Sequence, residues 1–107
     1  MKFDVYLISD AEKDIIDIYK YIIFNDSKEN AEYVFHEIEE ACRSLSSLPD
    51  RGHIPPELER IGVMNFKEIH FKPYRIIYEV MNKKVFVHCV LDGRRNLQEI
   101  LEHRLIR

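Results

Sequence analysis

Residues 66–105, FKEIHFKPYRIIYEVMNKKVFVHCVLDGRRNLQEILEHRL, are the one part of the chain that alternates strictly enough to define two faces. A reversal at Lys72-Pro73 sets Phe71 opposite Tyr74 and His70 opposite Arg75. A second reversal at Asn82-Lys83 sets Val80 opposite Val85 and Ile77 opposite His88. The meander so formed puts Ile69, Phe71, Tyr74, Ile76, Tyr78, Val80, Val85, Val87, Cys89 and Leu91 on one face. That face is almost wholly apolar and requires a cover. The opposite face carries Glu68, His70, Arg75, Ile77, Glu79, Phe86, His88 and Val90, a mixed and charged set.

The cover is found upstream. Phe3 to Ile8 alternates and reads as a first strand, and Ser9-Asp10-Ala11-Glu12 has the form of a capping box. A helix is expected from there to about Phe24. Asn25-Asp26-Ser27 breaks it, with Asp26 and Glu29 as a second capping pair. The next helix carries Ala31, Val34, Phe35, Ile38, Ala41, Cys42, Leu45 and Leu48 at spacings of three and four. Two helices joined by so short a turn form an antiparallel hairpin, which is the lid the apolar face needs. Residues 48–56, LPDRGHIPP, exclude helix and ladder alike and read as an ordered loop, followed by a short helical turn over 57–61. Strand two is expected from near Val63, and a terminal helix over 97–105. The fold class is α+β in the order β-α-α-β-β-β-α, a mostly antiparallel sheet with a helical hairpin on one face.

At 107 residues the chain is long enough for one domain, 1–107, with its own core. No run approaches the roughly 18 apolar residues of a membrane span. The first ten residues carry Asp4 and Asp10 where a signal peptide has its apolar stretch, so the expected location is cytoplasmic, with no membrane partner. Cys42 and Cys89 occupy apolar positions of separate elements and read as small buried hydrophobes. Charge is unevenly spread. Residues 1–50 hold 5 basic and 12 acidic side chains, while residues 51–107 hold 11 and 7. Such a division suits a polar surface on each helix, or a dipolar molecule that meets a charged macromolecule.

The mixed face has the parts for metal-independent RNA cleavage. His70, His88 and Glu68 offer a base and an acid, while Arg75 and Arg95 offer guanidinium groups for phosphate. The same residues also read as a cross-strand polar cluster that satisfies itself. Arg94 and Arg95, after Gly93 and ahead of a helix, make a candidate anion site, or a solvated turn bridged to Glu99 or Glu102. Neither an HxxxH nor a CxxC pattern is present, so no metal and no cofactor is expected; His53 would be a ligand only if another histidine came near it.

Three motifs carry a resemblance. They are Leu48-Pro49-x-x-Gly52, the run FKPYRIIYEV at 71–80, and Asp92-Gly93-Arg94-Arg95-Asn96-Leu97 followed by Leu101 and Arg104-Leu105. Together with the element order they resemble the RelE/ParE superfamily, the toxins of type II toxin–antitoxin (plasmid stabilisation) modules, and most closely its ParE side. The resemblance implies a small cognate antitoxin as partner, lying against the mixed face and covering Ile77, Phe86 and Val90. It further implies DNA gyrase as the target of a ParE-like protein, or ribosome-bound mRNA as that of a RelE-like endoribonuclease, with a homodimer left open. Only the second is an enzyme, and its site would be His70, Arg75, His88 and Arg95. Where RelE-type nucleases place a lysine and a tyrosine, this chain has Glu68 and Leu101. An inactive interaction module is the third reading.

Overall fold

In the computed structural model, which describes residues 2–106, both reversals fall where the alternation places them. Strand β2 (Lys67–Phe71) pairs with β3 (Tyr74–Met81), with His70 opposite Arg75 and Phe71 opposite Tyr74. The turn between them contains a cis Lys72–Pro73 peptide. The next turn, into β4 (Lys84–Asp92), has Asn82 and Lys83 at φ of 51° and 64°. Two successive positive-φ residues make the hairpin turn whose twist matches that of the strands it joins. The first strand, β1 (Asp4–Leu7), lies parallel to β4, and the sheet order is β1-β4-β3-β2. Strand two therefore starts later than Val63.

Helices α1 (Ser9–Asn25) and α2 (Lys28–Ser44) form the expected lid. Ala11, Ile15 and Ile22 of α1 and Ala31, Val34, Ile38 and Cys42 of α2 pack against Ile69, Ile76, Tyr78, Val85 and Val87. The helix starts differ in detail. Residue Ile8 is the N-cap of α1, and no side chain caps it, so Ser9 and Glu12 form no capping box. Ser27, not Asp26, caps α2, its hydroxyl accepting from the Asn30 amide at 3.0 Å. Two further side chains depart from the apolar stripe of α2: Leu48 is exposed beyond the helix end, and Phe35 is partly so.

The main correction concerns β4. Tyr78 pairs with Val87, but Ile77 pairs with Cys89 and not with His88. His88 is the extra residue of a β-bulge, and every side chain after it changes face. Cys89 and Leu91 thus leave the hairpin side, while Val90 joins it. Both cysteines are buried, and burial pushes each thiol up to about 12.

The second face is consequently not open. Helix α3 (Pro56–Glu59) and helix α4 (Gln98–Leu105) lie over it. Leu58, Leu97 and Leu101 pack there on Phe66, Ile77, Cys89 and Leu91 as a second, smaller core. No helix among the described residues is long and apolar enough to cross a membrane.

Candidate functional site

The pairing of β2 with β3 sets Arg75 beside Glu68, as the register requires, but the loop and α3 then close over them. Glu68 is 1% exposed. Its Oε1 accepts from Arg75 Nε at 2.6 Å and its Oε2 from Nη2 at 3.0 Å. A residue that the sequence did not single out, Glu57 of α3, completes the grip: its two carboxylate oxygens each accept from Arg75 at 2.7 Å. Arg75 therefore spends its fork on two carboxylates. These hydrogen bonds hold the Glu57 carboxyl below its ordinary value and raise that of Arg75, Glu57 contributing most. Arg75 is not free to grip phosphate; the self-satisfied cluster is what forms. Nothing in the local sequence links Glu57 to Arg75 beyond its place in a helical turn after two prolines.

His70 remains on the exposed side of this cluster, its Nε2 3.1 Å from Glu68 Oε1. His88, the bulged residue, stands apart from it. Its Nε2 is buried 3.3 Å from Glu79 Oε1 without making a hydrogen bond, and its ring meets Phe66 edge to face. The four proposed nuclease residues are thus dispersed: one arginine is occupied, one histidine is half-buried against Phe66, and Arg95 lines a different concavity. Leu101 is fully buried in the second core and faces no site.

A shallow basic concavity survives between the two turns. Gly93 donates to the Pro73 carbonyl at 2.7 Å, which draws the 92–95 turn onto the 72–73 turn. A Cβ on Gly93 would stand 2.8 Å from Arg75 Cδ and 3.0 Å from the Pro73 oxygen, so this approach needs glycine. His70, Lys72 and Arg94 line the concavity. Arg94 is bound to Asp92 rather than to Glu99 or Glu102, through Nε at 3.0 Å and Nη2 at 2.7 Å. That bond holds the Asp92 carboxyl below its ordinary value. Arg95 instead lines a cleft of about 360 Å³ with Asp14, Asp17, Tyr21, Tyr74 and Asp92. Of the three carboxylates, Asp14 is gripped by Arg104 and Asp92 by Arg94, so the cleft is polar and close to charge-balanced.

The residues expected to receive an antitoxin also need correcting. Ile77 and Val90 are 0% and 1% exposed, each inside one of the two cores. Phe86 is partly exposed and stacks on Tyr6 with ring centroids 5.5 Å apart. Large exposed apolar side chains lie on the helical hairpin, at Tyr21, Tyr33 and above all Phe24, which is 92% exposed, and also outside it, at Tyr6, Leu48, Ile61, Met64 and Met81.

A four-stranded mixed sheet with a helical hairpin on one face and a terminal helix on the other is the architecture of the RelE/ParE toxins. It is shared with a solved chain of the chromosomal ParDE toxin–antitoxin system from P. aeruginosa, at a TM-score of 0.70 and 16% identity, over 83% of this chain and 94% of that one. It is shared also with a chain of the toxin–antitoxin complex RelBE2 from Mycobacterium tuberculosis, at a TM-score of 0.63 and 16% identity, over 84% and 96%. Among curated proteins no match to the sequence was found. The family model described as "ParE toxin of type II toxin-antitoxin system, parDE" matches residues 5–97, and the chain belongs to that family.

Proposed function

We propose that residues 1–107 act as a single cytoplasmic toxin domain that binds a macromolecular target of the DNA gyrase type and is neutralised by a cognate antitoxin. The observation that carries this reading is the state of Arg75. A nuclease without a metal needs a free cation beside the scissile phosphate. Here the one arginine next to the candidate base is held by Glu57 and Glu68. With cleavage chemistry so disfavoured, binding is what the surface offers, and Lys72 and Arg94 are the target-facing cations. A target of the gyrase type is what the resemblance to ParE implies.

The antitoxin belongs on the helical hairpin rather than on the mixed sheet face. Tyr21, Phe24 and Tyr33 supply exposed apolar area in residues 1–50, which hold 12 acidic and 5 basic side chains. An antitoxin segment with apolar and basic side chains fits that combination. A homodimer through the same patch would oppose two acidic halves, which favours the antitoxin as occupant.

Expression of the chain alone in a bacterium, with transcripts and plasmid topology followed together, tests the reading. Relaxed or broken plasmid with whole transcripts is the expected result, reversed by co-expressed antitoxin. Cut transcripts in unperturbed topology would replace it with the nuclease, and unimpaired growth would replace it with an inactive interaction module.

A further inference from the structure

Glu68 and His70 are two residues apart on β2 and so share a face. His53 joins them from the loop after α2 by an isolated antiparallel bridge. Its amide donates to the Glu68 carbonyl at 3.1 Å, and the Glu68 amide donates to the His53 carbonyl at 2.7 Å. The loop is fixed in turn by Tyr78, whose hydroxyl donates to the Pro49 carbonyl at 2.7 Å and accepts from the Gly52 amide at 3.1 Å. A Cβ on Gly52 would lie 2.6 Å from the Glu68 carbonyl oxygen, so only glycine lets the loop come so near. The backbone that carries the two imidazoles is thereby fixed.

Their donor atoms converge. His53 Nε2 is 3.3 Å from Glu68 Oε2, His70 Nε2 is 3.1 Å from Oε1, and one donor atom from each residue lies within 4.8 Å of the others. Ligands bonded to one zinc-sized ion at about 2.0–2.2 Å stand roughly 3–3.5 Å apart. From this arrangement we infer that His53, Glu68 and His70 form a divalent transition-metal site of the zinc class, with its remaining coordination positions open to solvent or ligand.

Arg75 does not close the site. A carboxylate has about four lone-pair positions, of which Arg75 takes two, one on each oxygen. Glu57 balances the guanidinium, so the group of Glu57, Glu68 and Arg75 is anionic before a cation enters. Two imidazoles with one carboxylate suit zinc, cobalt or nickel better than calcium or magnesium, which prefer oxygen. The ion would clasp the 49–53 loop to the sheet edge beside the basic concavity, since His70 borders both.

The test uses full-length protein without a histidine tag, titrated with Zn²⁺ by calorimetry and with Co²⁺ by its visible d–d bands. One equivalent is expected to bind saturably and to raise the melting temperature. His53→Ala and His70→Ala should each weaken binding by about tenfold or more. His36→Ala, on the far side of α2, should leave it unchanged. His53 is largely exposed, so its variant should melt near the metal-free wild type and report on binding alone. Absence of saturable binding, or binding by either histidine variant as tight as by the wild type, would overturn the assignment.

Discussion

Truncation of Arg75 to alanine separates a structural arginine from a target-binding one. In the folded protein its side chain is 13% exposed and bridges a carboxylate that is 1% exposed to another on α3. Removing it leaves Glu68 with only the two imidazoles beside it. Breaking one side of a buried ion pair costs about 3–5 kcal/mol, since the remaining charge has no compensation. An unfolding entropy of about 2.1 cal/mol/K per residue over 107 residues is about 0.22 kcal/mol per degree. The melting temperature should therefore fall by roughly 13–22 °C. Against a total stability of about 5–15 kcal/mol, the variant is marginal, and loss of toxicity should follow its folded fraction. Arg75→Lys keeps the charge without the fork and should recover part of the loss. Urea unfolding followed by circular dichroism, with the slope compared between variants, supplies the number. An Arg75→Ala protein that melts within a few degrees of wild type yet has lost toxicity would refute the reasoning and return Arg75 to the target-binding surface.

Tyr78→Phe removes two hydrogen bonds at once, to Pro49 and Gly52, and at about 1 kcal/mol each should cost about 2 kcal/mol by urea unfolding, loosening the 49–53 loop. Leu101→Ala should cost about 2–5 kcal/mol in the same assay, because Leu101 is fully buried in the second core; a surface-like effect would mean α4 does not seat there. Acid should destabilise the fold through Glu57. Its folded pKa lies below the ordinary 4.5, so its contribution is complete above that value and is lost as pH falls through the folded pKa, the unfolded chain taking up the proton first. Glu57→Gln should flatten that part of the stability–pH curve. The double variant Lys72→Ala with Arg94→Ala should weaken inhibition of supercoiling while leaving the urea midpoint nearly unchanged, as expected of exposed side chains.

Turn chemistry and alternation made the register of β2 against β3 legible to the residue, though not where β2 begins, because one slip would have turned every side chain over. The bulge in β4 was not legible, and the reason is local. Cys89, Val90 and Leu91 are three apolar residues in succession. Such a run satisfies either face, so nothing in it marks where the alternation changes phase. The expectation for Ile77 and Val90 failed at that point, since a bulge at His88 gives both faces of the sheet an apolar patch and each finds a cover. Burial of Glu68 was hidden for a different reason. Its cover is a loop and a four-residue helix from earlier in the chain, and the acid that shares its arginine is 18 residues from it partner. Pattern within an element carries no information on such pairings.

The bulge also explains why residues at opposite ends of the chain are tied together. An extra residue leaves backbone groups without ladder partners. Here the Val90 amide donates to Asp14 Oδ2 at 2.9 Å and the His88 carbonyl accepts from Arg104 at 2.9 Å. Arg104 then grips Asp14 with both terminal nitrogens, at 2.9 and 3.0 Å. An acid of α1 and an arginine of α4 so satisfy backbone groups of β4 past Val87, where its pairing with β1 ends. Most residues that carry the family resemblance have a task of this kind. Pro49 and Gly52 receive Tyr78, Gly93 admits Arg75, Leu101 fills the second core, and Arg104 closes the bulge. Such residues report how the chain folds, whatever it binds. On the proposed reading, discrimination among targets falls to exposed side chains, with Lys72, Arg94 and the aromatic residues of the hairpin foremost, and a shared fold is then compatible with toxins that act on different machinery.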